Sequence, residues 1–200
     1  MPTEQIVAAF DFDGTLTRKD TFTLFLKEIS GQLEYVKKVI RLIPILTGYQ
    51  MGWINNTLMK EHVLTMFLRG RTLHDLLKLA EQFGQSLPQY LRPEAVNRLH
   101  WHQRQGHLCV IVSASLGLYL RPLQAILQVD HLLASELEIA PTGLITGKLI
   151  GGNCYGTEKT RRLQSLLGAR ETYLLYAYGD SRGDRELLAD ADSPFYRVMP

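Results

Sequence analysis

Hydrophobic positions along the chain fall into distinct regimes. The first apolar run, residues 6–12 in IVAAFDFDGTLT, has the unbroken character of a strand buried on both faces, as in a parallel sheet. From Asp20 to about Gly84 the apolar residues recur every three to four positions. TFTLFLKEI, LEYVKKVIRLI, NTLMKEHVLTMFL and LHDLLKLAEQF each read as a helix, with breaks expected at Gly31, at 44–52 and at Gly70. Nothing in this block reads as a strand. Near Pro88 the pattern changes again. PEAVNRLHWHQRQG predicts a helix with Pro93 in its first turn and Gly106 past its end. HLCVIVSAS predicts a buried strand, 118–128 a helix and LLASELEIA a further strand, with Pro141-Thr142-Gly143 turning it into a hairpin. Residues 157–167 read as a helix, TYLLYAYGD as a strand, 182–189 as a helix and PFYRV as an edge strand.

Alternation of strand and helix predicts an α/β fold: a doubly wound open parallel sheet with helices on both faces. The all-helical block is then an insert after the first strand. The division expected is an α/β core of 1–17 and 85–200 and a helical cap of 18–84. Composition agrees with one substantial globular domain carrying an insert. Apolar residues make up 46% of the 200-residue chain and charged residues 21%, which excludes disorder. A net charge of +2 argues against a nucleic-acid footprint. Two cysteines, Cys109 and Cys154, make no disulfide framework and read as reduced thiols of a cytoplasmic protein. MPTEQIVAAF has no basic stretch before its apolar run, unlike a signal peptide. The apolar run nearest in length to a membrane span, 39–54, is interrupted by Arg41, Pro44, Gln50 and two glycines.

In open α/β sheets, ligands bind beyond the carboxyl ends of the strands. There the predicted strands deliver Asp11 and Asp13, then Ser113 in VSAS, then Asp180 and Asp184 in GDSRGD, while Lys159 in GTEK opens a helix. Carboxylates with a lysine and a hydroxyl suit a hard cation and a phosphate. Mg²⁺ takes carboxylate, carbonyl and phosphate oxygens, lysine is a point charge for phosphate, and Ser113 with nearby backbone N–H groups can hold further phosphate oxygens. His100 and His102, two apart on a helix, point to different sides and do not predict a metal site. Arg161 and Arg162 read as a solvated face that could also meet an acidic substrate tail.

DFDGTLT, VSAS, GTEK and GDSRGD, in this order and on these elements, resemble the four motifs of the haloacid dehalogenase superfamily of phosphatases. A helical insert after the first motif is similar to its phosphoserine phosphatase-like branch. LRPEAVNRLHWHQRQGH, SLGLYLRPL and NCYGTEKTRRL resemble a bacterial subgroup of that branch that includes a phosphatidylglycerophosphate phosphatase. The resemblance implies a Mg²⁺-dependent phosphomonoester phosphatase. Asp11 would be the nucleophile that becomes an aspartyl-phosphate, and Asp13 the general acid and base. Asp11, the backbone carbonyl of Asp13 and Asp180 would hold Mg²⁺, with Asp184 supporting the metal's waters or Lys159. Ser113, the Ala114 N–H and Lys159 would hold the phosphoryl group, with Gly14 and Thr15 turning the backbone beneath it.

In the phosphoserine phosphatase-like pattern an acidic cap residue and an arginine recognise the amino acid. Asp20 stands about where the acid would, and His62 near the arginine's expected place. An amino-acid carboxylate without a bidentate arginine would be poorly held, so a different small-molecule or lipid phosphate is expected. Phosphoserine phosphatase and a phosphotransferase of the same fold are the alternatives. A dehalogenase would not need Asp13, and a non-catalytic scaffold would be expected to lack some of these groups. The apolar cap stretch IRLIPILTGYQMGW either packs internally or, with Lys37, Lys38 and Arg41 beside it, makes peripheral membrane contact.

Overall fold

A computed structural model of the chain describes residues 5–200; Met1 to Glu4, the start of the N-terminal stretch and of core segment 1–17, lie outside the described residues. Its strands are β1 (Gln5–Phe10), β2 (Leu108–Leu116), β3 (His131–Ile139), β4 (Ile145–Ile150), β5 (Tyr173–Gly179) and β6 (Ser193–Tyr196). They form one sheet in the order β4-β3-β2-β1-β5-β6. Neighbours are parallel except for the β3–β4 hairpin. The chain winds outward from β1 through β2 to β3, then crosses to β5 on the other side of β1. That reversal makes a crevice at the carboxyl end of β1.

Side chains of the central strands alternate between two apolar clusters, as a period of two requires. Ala8, Phe10, Cys109, Ile111 and Tyr178 join one. Val7, Ala9, Val110, Val112, Leu175 and Ala177 join the other, which α7 (Thr157–Leu167) and α8 (Arg185–Ala189) cover through Leu163 and Leu187. The first face is covered by α5 (Pro93–Arg104), α6 (Gly117–Leu127) and the helical insert.

The insert comprises α1 (Thr21–Ser30), α2 (Gln32–Gln50), α3 (Asn56–Leu68) and α4 (Leu73–Ser86). Asp20, Asn55 and Thr72 cap α1, α3 and α4, their side chains accepting from the N–H of Thr23, Leu58 and Asp75. Phe25 of α1, Phe83 of α4 and Tyr119 of α6 meet at centroid distances of 5.3, 4.8 and 5.2 Å. Insert and core thus share one continuous apolar cluster.

Three expectations need correction. The first strand ends at Phe10 rather than 12, because the chain turns sharply once the Asp11 N–H has bonded Tyr178 O at 2.9 Å. No helix break occurs at Pro44: α2 runs on to Gln50. Proline removes the bond to the Ile40 carbonyl, but Ile40 and Pro44 both lie on the exposed side, where water can replace it. Arg162 is not a solvated face. Its guanidinium donates to the carbonyls of Ala134, Gly151 and Gly152 and pairs with Glu158, tying the loop before α7 to the sheet.

His102 is fully buried, with Nδ1 2.7 Å from His107 Nδ1 and Nε2 2.8 Å from the Tyr178 hydroxyl. Burial, then Arg98 and His107, push its pKa from 6.5 down to about 3. It stays neutral in the fold but charges in the unfolded chain, so its contribution is complete above pH ~6.5 and lost as pH falls toward 3. Thermal melts across that window should show stability falling with acidity, and the slope should be shallower in His102→Phe.

Candidate active site

Phe10 at the end of β1 pairs with Ile111 of β2 on one side and Tyr178 of β5 on the other. Parallel register therefore brings Asp11, Ser113 and Asp180, each one to two residues beyond those partners, to one edge of the sheet. Lys159 reaches the same place from the first turn of α7. Its ammonium is 2% exposed and lies 2.5 Å from Asp11 Oδ1 and 2.6 Å from Asp184 Oδ1. The second oxygen of Asp184 accepts from the N–H groups of Asp180 and Ser181 at 3.2 and 3.0 Å and from the Ser181 hydroxyl at 2.7 Å. Asp184 thus fixes both the lysine and the backbone that carries Asp180.

Carboxylate oxygens of Asp11, Asp180 and Asp184 lie within 4.8 Å of one another. Hard oxygen donors at this spacing fit a small divalent cation. Gly14 makes the close approach possible: its φ is +87°, and a Cβ there would collide with the Asp180 carboxylate. Thr15 Oγ1 donates to Asp180 Oδ1 at 3.4 Å. A cavity of about 390 Å³ adjoins this edge, lined by Gly14, Thr15, Asp180, Arg92 and Arg197 among others.

Asp13 is turned away from that cluster. Its Oδ1 accepts from the N–H and hydroxyl of Thr21 at 2.8 and 2.6 Å, and its Oδ2 meets the Ser115 hydroxyl. Ser113 Oγ accepts from the Ser115 N–H at 3.0 Å, which leaves its own hydrogen free to donate. Asp20 caps α1, with its carboxylate on Thr23. His62 instead lines a 530 Å³ cavity between α3 and the β3–β4 hairpin, with Thr65, Arg69 and Lys148, that shares no residue with the carboxylate cluster.

One buried ammonium serves two buried carboxylates, so the site holds excess negative charge. Burial raises Asp11 from 3.8 to about 7 against the pull of Lys159, with Asp184 and Asp13 adding to the rise. Burial likewise raises Asp13, opposed by the bonds from Ser115 and Thr21, and raises Asp180, with Asp184 adding. Burial alone would lower Lys159; Asp11 and Asp184 outweigh it and keep the ammonium charged.

Sequence reasoning missed Lys60 of α3. Its ammonium is buried with no carboxylate in pairing distance among the described residues, donating to the carbonyl of Ala114 and to Asn153 Oδ1, and lying 4.6 Å above the Phe22 ring. Burial lowers it from 10.5 to about 8. Ser115 and Thr21, which orient Asp13, were missed too. Ser115 was findable: two residues past Ser113 on a strand, it shares a face. Lys60 carries no such signal, since its partners lie 54 and 93 residues away.

Comparison with known proteins identifies a family. Residues 8–189 match the haloacid dehalogenase-like hydrolases. The chain belongs to that family. Among curated relatives, Protein CicA of Caulobacter vibrioides is 38% identical over 197 residues, covering 98% of this chain and 87% of that protein. A Bordetella pertussis protein of unknown function shares the fold with a TM-score of 0.82 at 24% identity, covering 97% of this chain and 90% of the other. A substrate-bound phosphoserine phosphatase superposes with a TM-score of 0.62 at 17% identity, covering 94% and 84%.

The excess charge has a consequence for stability. A raised carboxylate pKa costs stability above the unfolded value of 3.8, and the cost is complete above about 7. Metal-free Asp11→Asn should therefore melt higher than the metal-free parent at pH 8, by at least ~2–4 °C, the shift that ~1 kcal/mol gives a domain of this size. The gain should vanish near pH 4. Scanning calorimetry in a chelator checks both points.

Proposed function

We propose that the protein is a Mg²⁺-dependent phosphomonoester phosphatase acting through an aspartyl-phosphate on Asp11. The observation that carries this reading is the division of labour between two aspartates one residue apart. Asp11 lies in the charged cluster with Lys159, whereas Asp13 is held outside it by Ser115 and Thr21. Like carboxylates in unlike surroundings can take opposite roles, one as nucleophile and one as acid. The fold shared with a phospho-aspartyl intermediate analogue of phosphoserine phosphatase supports the same chemistry.

In the first step an Asp11 oxygen attacks phosphorus in line, the ester P–O bond breaks, and Asp13 protonates the departing oxygen. In the second, Asp13 takes a proton from the water that attacks the aspartyl-phosphate, restoring Asp11 and releasing phosphate. Burial keeps a proton on Asp13 more readily than on a free aspartate, as the first step requires. Ser113, the Ala114 N–H and Lys159 hold the phosphoryl oxygens, and Gly14 and Thr15 shape the loop beneath them. Mg²⁺ held by Asp11, Asp180 and the Asp13 carbonyl would supply neutralisation of the charge gathered on the phosphoryl oxygens. Asp184 keeps Lys159 and the Asp180 backbone in place.

Residues 18–84 act as the cap and select the leaving group, a small-molecule or lipid alcohol. Lys60, Asp20 and Phe22 stand on the Asp13 side, where that group departs; the near approach of Asp20 is felt electrostatically by both Asp13 and Lys60. Both thiols are buried and free, which fits a reducing, cytoplasmic setting.

Phosphate release from an aryl phosphate should require Mg²⁺ and fall at least ~10³-fold in Asp11→Asn, with Asp13→Asn losing ~10²–10⁴-fold. Undiminished turnover in folded Asp11→Asn would overturn the mechanism. Product analysis in the presence of competing alcohols separates hydrolysis from phosphotransfer.

A further inference from the structure

The geometry points to the outer face of α2, continued by the turn at 51–53, as a surface that docks on an anionic bilayer. Leu33, Val36, Ile40, Ile43 and Thr47 recur at three-to-four spacing along α2, so they form one stripe. Leu33 is 69% exposed, Ile40 59%, Ile43 53% and, just beyond the helix, Trp53 76%. The stripe has no use inside the fold. The opposite side of α2 already packs inward through buried Leu42 and the half-buried Tyr35, Val39 and Leu46.

Charge decides what covers the stripe. Lys37 and Arg41 each follow a stripe residue, Val36 and Ile40, and so flank it by a fraction of a turn. Lys37, Lys38 and Arg41 oppose a single acid on α2, Glu34, which is already paired with Lys37 at 2.8 Å. A second copy packed stripe to stripe would bring these cations toward one another with only the already paired Glu34 of each α2 to receive them. Anionic headgroups supply the missing charge, acyl chains receive the apolar residues, and an exposed tryptophan suits the boundary between them. None of the described helices is long and apolar enough to cross a membrane, so the contact is one of lying on the surface. The docked end adjoins the site's surroundings: the Tyr49 hydroxyl accepts from Asn56 at 3.3 Å, and Asn56 bonds Asn153, the partner of Lys60.

The test is co-sedimentation of the full chain with vesicles of phosphatidylglycerol and phosphatidylcholine, against pure phosphatidylcholine. The parent should partition onto the anionic vesicles and be released by high salt. Ile40→Asp/Trp53→Ser should weaken partitioning at least ~10-fold from lost apolar burial, and Lys37→Glu/Arg41→Glu by ~10-fold or more. Both variants alter exposed positions, so their melting temperatures and their turnover of a soluble aryl phosphate should match the parent. That control keeps the docking surface separable from the catalytic reading. Absence of partitioning at low salt, or partitioning unchanged in both variants, would overturn the proposal. So would a parent dimer that Ile40→Asp dissociates without any vesicle binding.

Discussion

The ammonium of Lys159, held between Asp11 and Asp184, is the interaction on which the site depends. It ties together three segments at the sheet edge: the end of β1, the first turn of α7 and the loop after β5. All three charged groups are withdrawn from water, so removing Lys159 would leave two buried carboxylates without compensation. The backbone bonds that Asp184 accepts extend this constraint to Asp180, and Gly14 lets the loop after β1 close over that carboxylate. The result is a preorganised concentration of negative oxygen beside one fixed positive charge, which is the electrostatic setting a phosphoryl group and a divalent cation require together.

The sheet makes that convergence possible. With β1 between β2 and β5, the residues that follow each strand arrive at one edge, and crossovers in opposite directions keep helices from covering it. The insert then closes over the edge in two chemically different ways. Through α1 and α4 it is anchored by apolar packing continuous with the core, centred on Phe25, Phe83 and Tyr119. Through α3 its contacts near the site are polar: Lys60 on Ala114 and Asn153, Asn56 on Asn153, and Thr57 on the Asn153 N–H. Lys60 therefore ties α3 to the end of β2, since the carbonyl it holds belongs to the residue after Ser113.

Much of this was legible in the chain itself. Strand and helix periods placed the elements, because burial on one or two faces imposes a local repeat that needs no partner to be read. Asp11, Ser113, Lys159 and Asp180 were legible because each stands near the carboxyl end of a strand or at a helix start, where the fold's own geometry collects side chains. Pro44 was misread because proline's cost depends on whether the carbonyl it orphans can meet water, which the exposed outer face of α2 provides. Arg162 was misread for the converse reason: its acceptors are carbonyls of other segments.

The sequence by itself determined the α/β alternation, the helical insert after the first strand and the inventory of groups at the strand ends, all of which follow from short-range periodicity and position. Tertiary structure alone decided which way each group faces. It separated Asp13 from Asp11 by giving it Thr21 and Ser115, brought Lys60 to the site while leaving His62 in another cavity, and left the stripe of α2 uncovered. Those outcomes rest on contacts between residues far apart in the chain, and on which surfaces remain once the core is filled, neither of which has a local signature.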